Sequence, residues 1–428
     1  MTEPTHPFRI HNFRAYWVSR LSMTLAQYAM LLIIGWQTYN IARDSGLSVG
    51  ASSGQLALIG LLQFLPLFVL TPFSGLAADR FNRRTVARLT VALQMACAGY
   101  LAWLTWTDAI TIPNLFGVAI CLGIARAFAG PALSALAPNL VPQASLPNAI
   151  ALSSIAWQVG MIAGPGIGGY LYDIQAALPY AVAFALFSVS IVALTTIGDV
   201  PRSAIKGAQR PIGQIVDGLQ YVIRNKMVLG AITLDLFAVF LAGATALFPV
   251  YARDILQVGS TGLSQLAMAP AVGAVVTAAF FSFFPIKTNV GPKMLGAVAM
   301  FGIATIVFGF STSMPLSLAM LVIVGAADMF SVYIRQSLIQ LHTPDDKRGR
   351  VSSVSMMTIS ASNEFGDFFS GTLAFFIGPV LAVVLGGAGA IMTVAIWSQL
   401  FPVLRTTKTF DPPEELLDVS NTNSSGEK

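Results

Sequence analysis

The chain has 428 residues, 55% of them hydrophobic and only 10% charged, with a mean hydropathy of +0.72. Soluble domains carry roughly 25% charged residues, so this composition excludes a soluble globular enzyme and reads as a polytopic membrane protein. A net charge of +5 does not restore a nucleic-acid reading, because the cations sit at the ends of apolar runs and form no basic face.

The N-terminal stretch MTEPTHPFRIHNFRAYW lacks a short apolar core with a small-residue cleavage site. The first apolar run is therefore expected to remain as an anchor and not to be removed as a signal. Breaks at charges, Pro and Gly leave twelve runs long enough for a span, which needs about 20 mainly apolar residues. They fall at approximately 17–42, 52–76, 84–107, 111–137, 146–172, 176–198, 227–251, 260–285, 290–312, 315–341, 350–377 and 379–403. Lipid cannot satisfy free backbone groups, so the expected fold is an all-α membrane protein of twelve transmembrane helices. Cys97 and Cys121 lie inside apolar runs and read as small packing residues, with no disulfide expected. Between the sixth and seventh runs, PIGQIVDGLQYVIRNK places Ile212, Ile215, Val216, Leu219 and Ile223 at helical spacing. That pattern predicts an amphipathic helix lying on the membrane surface. The polar end of the chain after Arg405, closing in NTNSSGEK, is expected to be disordered.

With the N-terminus placed inside, 20 of the 24 Lys and Arg fall on the cytoplasmic side and only Arg43 and Arg253 fall outside. Arg126 and Arg335 lie within spans. Short cytoplasmic loops collect Lys and Arg, so both termini are expected in the cytoplasm. The halves also repeat. Tyr39-Asn40-Ile41-Ala42-Arg43-Asp44 returns as Tyr251-Ala252-Arg253-Asp254, Val49-Gly50 as Val258-Gly259, and Gln55-Leu56-Ala57 as Gln265-Leu266-Ala267, each at an offset of about 210 residues. A repeat in the same orientation implies two six-helix bundles related by an axis along the membrane normal. The expected domains are 1–198 and 227–404 for the bundles, 199–226 for a cytoplasmic linker and 405–428 for the tail.

Three sets of residues carry candidate chemistry. In PFSGLAADRFNRRTVAR (72–88), an apolar run ends at Gly75 and is followed by Asp79, Arg80, Arg83, Arg84 and Arg88; by itself this is a basic hinge that sets topology. At the repeat position Thr288 replaces the acid. In the fifth run Gly160, Gly164 and Gly168 recur every fourth position with Pro165 among them, a spacing that lets helices approach closely around a bend. Charges inside spans are costly and are functional candidates by default. They are Arg126, Asp235, Asp328, Arg335, Glu364 and Asp367, with the acids confined to the second half. Glu364 and Asp367 share a helix face, where like charges in a low dielectric raise one pKa towards neutrality. A structural reading, with Arg335 or nearby hydroxyls satisfying both, stands beside it. Asp328 and Arg335 lie two turns apart on one face. Asp235, roughly 13 Å into its span at 1.5 Å per residue, is an equal rival as proton carrier. Depth and polarity add Tyr28, Trp36, Gln37, Trp157, Gln158, Phe237 and Met329, with Arg126 and Arg335, as cavity lining.

The pattern G-x-x-x-D-R-x-x-R-R at 75–84 resembles the loop between spans 2 and 3 of major facilitator superfamily transporters. The segments GAADMFSVYIRQSLIQLHTPDDKRGRVSSV, SNEFGDFFSG, GPVLAVVLGG and LDLFAVFLAGATALFPVYARDILQVG resemble the enterobactin-exporter-like branch over residues 10–405. The resemblance implies that Asp79 latches the inner side shut beside a helix N-terminus, where an anion is favoured. The family's usual glycine is Asn82 here, and asparagine tolerates a left-handed backbone; Gly291 restores the glycine in the repeat. Span 5 resembles the motif of exporting drug and siderophore transporters. The implied activity is export of a siderophore or amphipathic drug-like molecule by proton antiport from a bacterial inner membrane, as a monomer. No cofactor is implied. The partners are the small-molecule substrate, protons and the lipid bilayer.

There is no G-x-x-x-x-G-K-[ST] sequence for nucleotide hydrolysis. His6, His11 and His342 lie at membrane edges, so no histidine metal or acid–base site is expected at depth. No nucleophile–base pair is evident within the spans, which disfavours an intramembrane enzyme; a sensor would normally carry an ordered soluble domain, for which the tail after Arg405 is too short. A proton-independent facilitator or lipid flipper of the same fold remains the alternative.

Overall fold

The computed structural model describes residues 6–80, 82–198, 211–344 and 347–410. Within them, side chains are described except at 72, 74–80, 135, 211, 212, 214, 215 and 360. The helices run α1 His11–Asp44, α2 Val49–Arg80, α3 Arg83–Trp106, α4 Ile112–Leu136, α5 Leu146–Ile174, α6 Leu178–Thr196, α7 Pro211–Arg224, α8 Lys226–Leu241, a short α9 Phe248–Val250, α10 Gly259–Phe283, α11 Val290–Phe310, α12 Met314–Leu341, α13 Arg348–Ile377, α14 Pro379–Leu400 and a short α15 Pro402–Thr406. No strand occurs among the described residues.

Eleven helical stretches of the described residues are long and apolar enough to cross a membrane. The expected run 350–377 forms a helix, the 30-residue α13, which is not among these eleven. It falls short on polarity because it carries repeated serines together with Asn363, Glu364 and Asp367. Large apolar side chains are exposed on these helices, among them Leu89, Trp103, Phe283, Phe376 and Leu400.

Local capping chemistry sets several boundaries. Asn225 caps α8 by accepting from the Met227 and Val228 amides at 3.1 and 3.2 Å. Asn82 caps α3, accepting from the Arg84 amide at 3.0 Å. Its φ of −65° and ψ of 116° are extended, so the expected left-handed turn is replaced by an N-cap, a role asparagine fills well. The left-handed asparagine sits in the second half instead, at Asn289 with φ of 53°, where it leads into α11.

The chain divides into two compact units. The first contains Met1–Ala208 and Ala246–Met268, the second Gln209–Thr245 and Ala269–Lys428. In the first, α1 packs on α5 and α6, and α3 packs on α4 and α6. Its core includes Phe13, Tyr16, Ile33, Leu101 and Phe187. In the second, the repeat equivalents make the same pairs: α8 packs on α13 and α14, and α11 on α12 and α14. Its core includes Val228, Met294, Ile334 and Leu338.

The expected seventh span, 227–251, is not one helix. α8 stops at Leu241, and after Ala242 to Ala244 the chain resumes with a single 3-10 turn, α9 and a π-helical turn at Tyr251–Ile255. The Ala242 amide still bonds the Ala238 carbonyl at 3.1 Å. Close approach explains the composition of the break. A Cβ on Gly243 would lie 2.9 Å from the Gly366 carbonyl carbon, and one on Gly366 would lie 3.1 Å from the Val239 carbonyl oxygen. Residues 246–268, beyond the break, pack with α1 and α5 in the first unit.

Candidate functional site

In the second unit, α8 carries Asp235 and α12 carries Arg335, and the two helices pack together. The Asp235 carboxylate and the Arg335 guanidinium form an ion pair. Both residues are buried, at 8% and 3% exposure. The structural reading of the sequence set Arg335 or nearby hydroxyls against Glu364 and Asp367, with Asp328 a further neighbour of Arg335; the acid the structure brings onto Arg335 is Asp235, because α8 packs on α12 at that depth. A charge pair removed from solvent holds only while both partners stay charged and close, since separating them leaves an uncompensated ion. Two residues either side, Thr233 accepts from the Trp397 indole at 2.9 Å, and the Phe237 ring lies 5.0 Å from that indole. Phe237 is otherwise exposed. Asp367 accepts from the Thr245 hydroxyl at 2.6 Å, which ties α13 to the far side of the break after α8. Glu364, Asp328 and Met329 are half-buried.

In the first unit, the glycines of α5 form a packing surface on α1. A Cβ on Gly160 would lie 2.5 Å from Thr24 Cβ, one on Gly164 would lie 2.8 Å from the Leu25 carbonyl oxygen, and one on Gly168 would lie 3.0 Å from that of Ala29. The opposite side of α5 meets residues 260–268, where the Ser264 hydroxyl donates to the Pro165 carbonyl at 2.8 Å. Tyr28 is half-buried beside Gly164. Trp157 and Gln158 are exposed and Arg126 is half-buried. Gln37 is not a cavity group. It is buried, its amide donates to Thr105 at 3.3 Å, and its carbonyl accepts from Tyr180 at 2.8 Å, so its polar atoms are committed to α3 and α6. Trp36 is buried beside it.

The gating stretch is described only in part. Gly75, Asp79 and Arg80 lie in α2, but their side chains are outside the described residues, so the expected latch at Asp79 has no geometry. Arg84 donates to the carbonyls of Ile197 and Gly198, and Arg88 donates to that of Leu194 at 2.8 Å. These bonds staple the start of α3 to the end of α6. Arg83 is half-buried.

A second polar cluster went unassigned in the sequence. At the end of α1, Arg43 donates to Asp254 at 2.9 Å, and Tyr39 donates to the other oxygen of that carboxylate. Reciprocally, Arg253 donates to Asp44 at 2.5 Å and to the Asn40 side chain at 2.6 Å. The repeated Arg-Asp dipeptides thus exchange partners. They contain the only two cations assigned to the outer side, and each is matched by an acid. The repeat itself was the available signal; the pairing was not readable, because nothing local joins residues some 210 positions apart.

Comparison with known proteins agrees with this architecture. A family described as transmembrane secretion effector matches residues 2–421. The multidrug efflux pump Tap of Mycobacterium tuberculosis is 28% identical over 364 residues, covering 81% of this chain and 86% of Tap. The enterobactin exporter EntS of Escherichia coli is 24% identical over 396 residues, covering 91% and 87%. Among solved structures, a D-xylose-proton symporter matches with a TM-score of 0.70 at 13% identity, over 92% of this chain and 98% of that one. A bacterial homologue of the human lysosomal transporter Spinster matches with a TM-score of 0.71 at 15% identity, over 94% and 99%. At these identities the structural likeness bears on the fold alone. The chain is a multi-pass membrane transporter, not an enzyme, and belongs to the transmembrane secretion effector family within the major facilitator superfamily.

Proposed function

We propose that this transporter exports an amphipathic small molecule, of siderophore or drug-like type, by alternating access in exchange for protons. It does so from a bacterial inner membrane, with twelve spans and both termini cytoplasmic. The observation that carries the reading is the buried Asp235–Arg335 pair. Protonating Asp235 removes the attraction that holds α8 to α12 at that depth, so one proton shifts the balance between two packings. Asp367, fixed by Thr245 at the break after α8, offers a second acid where the backbone is already interrupted. Broken helices lining a site near mid-membrane are a recurrent transporter device. The exchanged pairs of Arg43 with Asp254 and Arg253 with Asp44 act as a latch, since any step that frees residues 246–268 from α1 must break both. The drug and enterobactin exporters among the relatives support this substrate class.

Inside-out vesicles test the proposal. An acid lumen drives accumulation of a dye or siderophore, and Asp235→Asn lowers that accumulation at least tenfold while Arg9→Gln leaves it unchanged. Gradient-driven accumulation that survives Asp235→Asn together with Glu364→Gln and Asp367→Asn rules out proton exchange through these acids. It would favour a proton-independent facilitator or lipid flipper.

A further inference from the structure

A cavity of about 710 Å³ opens at the junction of the linker helix with α8. That volume falls within the roughly 300–1,000 Å³ range of small-ligand sites. Its wall includes Arg224 and Lys226 from the junction and Thr407, Lys408 and Thr409 from the segment after α15. No carboxylate lines it among the described residues, and no ion pair occupies Arg224, Lys226 or Lys408 there. Its floor is held in place. Tyr221 donates to the His342 carbonyl at 2.6 Å, the Asn225 amide donates to the same oxygen at 3.4 Å, and Lys347 lies 5.3 Å above the Tyr221 ring.

The helix leading into this cavity has two unlike sides. One is fastened to the bundle: Val222 is buried, Asp217 pairs with Arg350 at 2.9 Å, and a Cβ on Gly218 would lie 2.8 Å from the Arg350 carbonyl oxygen. The other carries Val216, Leu219 and Ile223, spaced three and four residues apart and exposed at 44%, 45% and 57%. An apolar stripe with cations at its end is the build of a helix lying in a lipid interface. A compact group of cations around a cavity at a membrane boundary suits a phosphate carried by lipid.

We propose that this cavity holds the headgroup phosphate of an anionic phospholipid, whose acyl chains lie along the Val216, Leu219 and Ile223 stripe of α7. Arg224 supplies a forked pair of donors, Lys226 and Lys408 supply point charges, and the Thr409 hydroxyl completes the donor set; the Thr407 hydroxyl is already committed to the Val403 carbonyl at 2.6 Å. A free phosphate would use the cations and leave the stripe without a role. On the topology proposed above this lipid belongs to the inner leaflet; binding itself does not rest on that topology.

The test uses the full-length protein in a neutral detergent, titrated with short-chain phosphatidylglycerol, phosphatidylcholine or inorganic phosphate. Phosphatidylglycerol is expected to bind at least tenfold more tightly than phosphatidylcholine. The variant Arg224→Gln/Lys226→Gln/Lys408→Gln abolishes that preference. The charge-matched variant Arg9→Gln/Arg14→Gln/Lys287→Gln retains it. The variant Val216→Ser/Leu219→Ser/Ile223→Ser weakens phosphatidylglycerol severalfold. Should a triple variant fail to fold, Lys408→Gln alone is expected to reduce phosphatidylglycerol affinity severalfold. Equal binding of the two lipids overturns the proposal, as does an undiminished preference in the cation variants. Phosphate binding as tightly as phosphatidylglycerol overturns it in favour of a soluble-anion site. None of these readouts depends on transport, so loss of the export reading would leave them intact.

Discussion

Asp235 and Arg335 show how much one buried atom pair determines. Removing one partner strands the other as a lone ion, which costs about 3–5 kcal/mol in buried sites. Asp235→Leu is therefore expected to destabilise the protein by about that amount. Asp235→Leu/Arg335→Leu is expected to recover most of it, read as the unfolding midpoint in detergent. A smaller switch sits at His342, just past the end of α12. Burial lowers its pKa from 6.5, against an opposing hydrogen bond to the Leu338 carbonyl at 3.0 Å. A depressed imidazole pKa means that the fold favours the neutral ring. This contribution is complete above the unfolded value near 6.5 and is lost as pH falls through the lower folded value. The unfolding midpoint is expected to drop below about pH 6.5, and His342→Gln is expected to flatten that drop. Asp235 was legible in the sequence as a functional candidate, because intramembrane charge is costly. Which partner it took was not, since Arg335 offered Asp328 two turns away and Glu364 and Asp367 on another span.

At the scale of elements, the α5 glycine stripe was legible because four-residue spacing of small side chains has one physical use, close helix packing. The partner, α1, came from the fold. Leucine at Gly164 must displace the Leu25 carbonyl and the Tyr28 Cβ, and overpacking of this kind costs about 1–3 kcal/mol. Gly164→Leu should therefore lower the unfolding midpoint, whereas Gly117→Ala on α4, where a Cβ meets nothing within 4 Å, should leave it nearly unchanged. The break after Leu241 was not legible. Ala242-Gly243-Ala244 contains no proline and no charge, and nothing in it separates a helix end from a tolerated glycine. The close approach of α13 at Gly366 supplies that reason. Likewise α13 reads as a span by length but carries too much polarity to qualify on composition; Ser355, Ser362 and Ser370 are buried, whereas Asn363 is exposed.

Across the whole molecule, the charge split makes a direct prediction about sidedness. With both termini inside, Ser45→Cys, at the end of α1, should be labelled by a membrane-impermeant maleimide from outside intact cells. Thr409→Cys should be labelled only after the membrane is opened. The reverse pattern would invert the topology. Composition and charge placement determined the membrane class, the helical fold and the repeat, because the energetics of lipid act on each residue independently of its neighbours in space. Tertiary structure alone decided that the two Arg-Asp repeats exchange partners, that Asp235 answers Arg335, that residues 246–268 pack with the first half, and that Arg224, Lys226 and Lys408 surround one cavity. Those outcomes depend on which distant segments meet, and hydropathy carries no information about long-range pairing.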